Sequence, residues 1–290
     1  MDNSLSYRIF RVFNAVVMLL VVLFTLYPFL YLVAQSFSSE EAIYAGKVSI
    51  FPVDFTAATY KLILGKPDFY LYYWNTILYS ALGTFIAVMG TAILAYPLSK
   101  DKLRLNKFFI PFVLFTMYFS GGLIPNFILI SKTLHMRDTM WAIIIPGAIS
   151  AFNVILMKTF FASIPNEVEE AAKVDGLGGY RIFLRIVLPL SKPILATMTL
   201  FCIVGIWNNW FGPALFLQSK EKWPVALYLR QIIDSTVSTA EVGASAESTT
   251  QIAATIKSAA MVLTSLPIIC IYPFVQKYFV QGMMIGSVKG

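Results

Sequence analysis

From Val12 to Val33 the chain carries no charged side chain. A helix needs about 20 apolar residues to cross the hydrocarbon core of a bilayer, and this run is long enough. Inside lipid the backbone must bond to itself, which leaves helices or a closed barrel. A cleaved signal peptide has an apolar stretch of only about 7–15 residues, so the run reads as a retained helix. Five more apolar runs follow: Asn75 to Pro97, Phe108 to Ile130, Thr139 to Phe161, Ile194 to Phe216 and Ser258 to Tyr278. The expectation is an all-α membrane protein with six transmembrane helices. Charged residues make up 13% of the 290 residues, against about 25% in soluble domains. Lipid therefore takes the place of water around most of the chain.

Six crossings put both termini on one side. The formal net charge is +7, and the basic residues sit in the gaps between apolar runs. Of the 22 Lys and Arg, 13 fall on the side holding the termini, the gap Ser99–Lys107 and the segment Pro165–Pro193; the other 9 are spread mainly over the long connections Gln35–Tyr73 and Gln218–Lys257. Short basic loops face the cytoplasm. Both termini are thus expected in the cytoplasm and the long connections outside. The same rule accounts for the positive charge without nucleic acid.

Several function classes lose support. The spans hold no Asp, Glu, Arg or His, and Lys158 lies near a span end; proton relays and ion pathways place such groups at membrane depth. Cys202 and Cys270 lie in apolar runs, and His135 stands alone in a short connection. They suggest no disulfide framework, no metal site and no catalytic constellation. A phosphate loop of the form GxxxxGK is missing, since Tyr60 stands where its first Gly would precede Gly65-Lys66. Any nucleotide energy must come from another subunit.

The spans instead carry neutral polarity at Asn75, Thr76, Asn126, Asn153, Asn208 and Asn209, with Trp207, Trp210 and Phe211 close by. Amides donate and accept hydrogen bonds, and rings pack on the apolar faces of a sugar. These residues are candidates for a path taken by an uncharged, hydroxyl-rich solute. Bonding between helices is the competing use of each Asn. Pro97, Pro111, Pro125, Pro146 and Pro267 are expected to bend the helices.

One segment breaks the apolar pattern: PNEVEEAAKVDGLGGYRIFLRIVLPLSKP, Pro165 to Pro193. Asn166 with Glu169 three residues on reads as a capping box. Glu167, Glu169 and Glu170 favour a helix N-terminus. Ala171 and Ala172 form helix readily and let another surface come close. Asp175-Gly176 should end that helix, because Gly takes the left-handed cap conformation. A second short helix should start near Tyr180, with Arg181 and Arg185 on one side and Ile182, Phe183, Ile186 and Val187 as apolar cover.

The spacing Glu170-Ala171-Ala172, three residues, Gly176, nine residues, Ile186, one residue, Leu188-Pro189 resembles the EAA signature of binding-protein-dependent ABC importer permeases. The stretches Phe119–Ile130, Trp141–Pro165, Trp207–Leu217 and Val275–Gly290 look like the carbohydrate branch, close to the second permease of maltose-type importers for oligo- and polysaccharides. The resemblance implies a type I ABC importer permease fold. It divides the chain into an N-terminal helix with its outer connection (1–74), a permease core (75–282) with a coupling loop (162–193), and a cytoplasmic tail (283–290). It implies a heterodimer with a second, homologous permease, two cytosolic ATPase subunits that hold ATP and Mg, and an extracytoplasmic solute-binding protein that delivers sugar. The chain itself would hold no cofactor and catalyse no reaction. Coupling to the ATPase would rest on Glu170, Ala171, Ala172, Asp175, Gly176, Arg181, Leu188 and Pro189. A permease for a non-sugar solute and an uncoupled membrane scaffold or channel are the alternatives.

Overall fold

The computed structural model describes residues 5–100, 103–241 and 255–271, together with 273 and 276. Among the described residues every regular element is helical. Contacts divide the chain into two units, one from 1–70 with 229–266 and one from 71–228 with 267–290.

The first unit begins with the helix Leu5–Ser36, apolar and exposed along most of its length. Its end is fastened by short-range bonds. Ser38 Oγ donates to Ala34 O (2.7 Å) and accepts from Val53 N (3.1 Å). Ser36 Oγ lies 2.8 Å from Tyr60 OH, and the Phe37 ring stacks on both Tyr60 and Phe55. The connection that follows is partly helical, at Glu40–Tyr44 and Ala58–Leu64. In the same unit Ser258 Oγ donates to Gln35 Oε1 (2.6 Å), which ties the helix 255–271 to the end of the first one.

The second unit is organised by the helix Pro67–Leu98. It starts well before Asn75, because Pro67 and Asp68 suit a first turn. Ala92 and Ala95 are fully buried on it. Their small side chains let other helices approach closely, and Val154, Met157, Phe161, Ile182, Val187 and Met198 fill the core beside them.

Three of the expected spans are broken. Phe108–Ile130 becomes Asn106–Tyr118 and Leu123–Thr133, bent by 106°. Gly122 takes φ +86° at the break and Pro125 follows in the next turn, so the backbone cannot run straight. Thr139–Phe161 becomes Trp141–Ile144 and Ala151–Ala162, parted at Pro146-Gly147. Ile194–Phe216 becomes Lys192–Trp207 and Phe211–Phe216, parted at 208–210. By length and composition two described helices can cross a bilayer, Tyr7–Ser36 and Pro67–Leu98, or up to four if each bent pair is one span. The connection 218–257 contains the helix Val225–Glu241. The tail 283–290 and most of the stretch Val275–Gly290 lie outside the described residues.

Candidate functional site

The segment Pro165–Pro193 folds as two helical pieces on a hinge. The first is Asn166–Val174. The capping box does not form: Pro165 occupies the N-cap and no side chain caps the helix. Glu169 turns inward instead, pairing with the Lys100 ammonium and accepting a bond from Tyr96 OH (3.3 Å). An ammonium is the stronger partner for a carboxylate, so it prevails over a backbone N–H.

The helix ends as the Gly rule requires. Leu177 N donates to Ala172 O and Gly176 N to Lys173 O, both at 3.0 Å, with Gly176 at φ +77°. These two bonds and the left-handed residue make a Schellman motif. Ala172 and Leu177 face inward and join the core. Glu170, Ala171, Asp175 and Arg181 are exposed. Val174 and Tyr180 are 88% and 75% exposed, so an apolar edge flanks the hinge. The second piece runs Gly179–Ile182, through a π-helical turn Phe183–Val187, to Leu188–Leu190. Leu188 is half-buried and Pro189 exposed, and an 80° bend at Ser191 leads into Lys192–Trp207. Glu170, Ala171, Asp175 and Gly176 therefore sit together at one helix end with Ala172 on its inner side, Arg181 opens the second piece, and Leu188 and Pro189 lie at that piece's far end.

The candidates for a solute path separate into two groups. Asn126 lines a cavity of about 410 Å³ with Leu123, Ile145, Phe211, Gly212 and Phe216. Asn209 Oδ1 accepts from Gly212 N (3.1 Å), and Trp210 meets Phe211 edge-on. The other group is engaged in holding the fold. Asn75 Nδ2 donates to Glu221 O (2.7 Å) and Trp223 O (3.1 Å). Trp207 is 4% exposed and packs edge-on against Tyr73. Asn153 Nδ2 reaches Cys202 Sγ (3.8 Å), and Asn208 Nδ2 bonds back to Val204 O (2.9 Å).

A polar knot that sequence reasoning missed joins two loops. Asp138, at φ +58°, accepts from Gln218 N and Ser219 N (2.9 Å each), and from Ser219 Oγ and Lys222 Nζ (2.7 Å each). Lys222 Nζ also donates to Asp138 O (2.7 Å). These donors, the Lys222 ammonium foremost, hold the Asp138 carboxyl well below the usual carboxylate range. Beside the knot, Tyr79 OH donates to Lys222 O (2.9 Å), and Thr76 Oγ1 accepts from Val225 N (2.7 Å). The helix 67–98 thus grips the stretch 221–225. Among the described residues no group of His, Cys, Asp or Glu could hold a metal.

Residues 89–285 match the family described as "Binding-protein-dependent transport system inner membrane component". Protein LplC of Bacillus subtilis (strain 168) is 40% identical over 290 residues, covering 100% of this chain and 98% of that one. The "Polygalacturonan/rhamnogalacturonan transport system permease protein YtcP" of the same organism is 37% identical over 277 residues, covering 94% of this chain and 96% of that one. A chain in the crystal structure of "a bacterial ABC transporter involved in the import of the acidic polysaccharide alginate" superposes with TM-score 0.83 at 35% identity, covering 96% of this chain and 99% of its own.

Proposed function

This chain belongs to the family of binding-protein-dependent transport system inner membrane components, and we propose that it is one permease of an ATP-driven importer for an oligo- or polysaccharide. It crosses the membrane six times, with both termini in the cytoplasm, and the broken helices each count as one crossing. It pairs with a second, homologous permease. Two cytosolic ATPase subunits, which hold ATP and Mg, dock on the hinged helix 166–174. An extracytoplasmic binding protein delivers the sugar to the opposite face of the membrane. The relatives named for saccharide transport and the alginate importer support the substrate class.

One observation carries this reading: the Schellman-closed helix ending at Gly176 leaves Glu170, Ala171, Val174 and Tyr180 exposed together. A charged, apolar-edged knob of this kind offers a surface that a partner's groove can cover. Docking at Glu170, Ala171, Asp175 and Arg181 lets closure of the ATPase pair swing the knob between two positions. The spans then rock against the partner permease and open the path alternately to each side, with Asn126 and the Asn209–Trp210 turn on the solute side.

Purification in mild detergent should bring along a second permease and an ATPase. Glu170→Lys should leave the protein in the membrane while uncoupling uptake from hydrolysis. If assembly and uptake both persist unchanged in that variant, the docking assignment is wrong. Solute flux with no ATPase subunit present would favour an uncoupled channel.

A further inference from the structure

The hinged helix is held to the rest of the chain by more than its two covalent ends. Glu169, on its inner face, is 5% exposed, and its carboxylate pairs with Lys100, 69 positions earlier. Lys100 lies two residues past the end of the helix 67–98 and is fixed there. Asn106 Nδ2 donates to Lys100 O (2.8 Å) and Leu98 O (3.2 Å), which caps that helix end. The Lys100 ammonium also lies 4.8 Å from the centre of the Tyr96 ring. Tyr96 in turn packs against Phe161 and Phe183, from the elements before and after the hinged helix 166–174.

An ion pair of this kind is a weak way to hold two helices together. Desolvating both charges offsets most of their attraction, and an apolar pair of similar volume often holds as well or better. What the pair does provide is a fixed geometry: two donors on one carboxylate set the position of the hinged helix against the end of the long one. The long helix is itself locked into the core through Ala92 and Ala95. A displacement applied at the exposed side of Glu170 therefore reaches the helix 67–98 through the preceding residue, Glu169.

We propose that the Lys100–Glu169–Tyr96 cluster is the strut that passes motor displacement from the hinged helix to the helix 67–98. Lys100 and Glu169 are then positioning residues for coupling, distinct from the surface that touches the ATPase. The proposal rests on the importer reading above. Without the strut, the docked helix turns about Gly176 and the long helix stays behind.

The test uses the complete complex in lipid vesicles with its binding protein. The variants are Glu169→Gln, Lys100→Met and the exchanged pair Lys100→Glu with Glu169→Lys. Three quantities are read: ATPase subunit retained on purification, ATP hydrolysed, and solute imported per ATP. The single variants should retain the ATPase and hydrolyse ATP, while solute per ATP falls by about 5-fold or more, the lower end of coupling between distant sites. The exchanged pair should restore the ratio. A single variant with the wild-type ratio overturns the strut. If a single variant fails to assemble, an exchanged pair that regains both assembly and ratio supports the strut, and one that regains assembly alone overturns it. A wild-type complex that holds no ATPase defeats the importer reading itself, whereas a coupled wild type with unaffected variants defeats only the strut.

Discussion

Replacing Asp138 with asparagine leaves one oxygen in place and puts an amide nitrogen where the other stood. In the best orientation the oxygen still accepts from Gln218 N and Ser219 N. The NH2 group can still donate to Ser219 Oγ, but it meets the Lys222 ammonium donor against donor, and that bond is lost. Lys222 keeps its bond to Asp138 O. A hydrogen bond to a charged group contributes about 1.5–3 kcal/mol when shielded. Lys222 is 44% exposed, so water screens much of this. The expected cost is about 1–2 kcal/mol. In a thermal scan of detergent-purified protein at one fixed rate, that is a fall of roughly 2–3 °C. The pH dependence carries the sign. The folded carboxyl titrates below its ordinary value, so its contribution is complete above about pH 4 and is lost as the solution is made more acid. The gap between wild type and Asp138→Asn should be constant from neutral pH to about pH 5 and shrink below about pH 4. Equal stability at pH 7, or a gap that widens in acid, would refute the account of the knot.

Met157 is completely buried in the core between the helices 67–98, 151–162 and 192–207. Met157→Ala should cost about 2–5 kcal/mol, read as a lower yield of folded protein in membranes and faster inactivation on warming. The two groups of asparagine should separate in assays. Asn126→Ala should raise the solute concentration needed for half-maximal uptake and leave thermal stability unchanged. Asn75→Ala frees two backbone carbonyls and should lower stability by about 1–2 kcal/mol, measured by the same scan.

The apolar runs announced a membrane protein, since a length of charge-free sequence tests directly against the bilayer. Breaks within those runs were legible only in part. Pro125 and Pro146 marked two of them, but a 106° turn depends on what the two halves pack against. The hinge at Gly176 was readable because a left-handed cap is a local event, set by Asp175-Gly176 and the residues beside it. Glu169 was not readable in the same way. Asn166 three residues ahead of Glu169 suggested a cap, and only folding brings Lys100 close enough to compete. Asp138 shows the same limit, because its partners lie about 80 positions away. For Asn75 and Trp207, sequence gave polarity and an aromatic ring but not the facing surface, and the facing surface turned out to be their own chain.

The claim that most needs testing is that the ATPase meets this chain at the exposed side of the hinged helix. A photo-reactive phenylalanine analogue placed at Ala171, with a matched probe at the exposed Lys220 in the loop 217–223, tests it in intact membranes. The expected result is a product joining this chain to an ATPase subunit from position 171 and none from position 220. A product with the ATPase from 220, or lipid adducts alone from 171, would contradict the account.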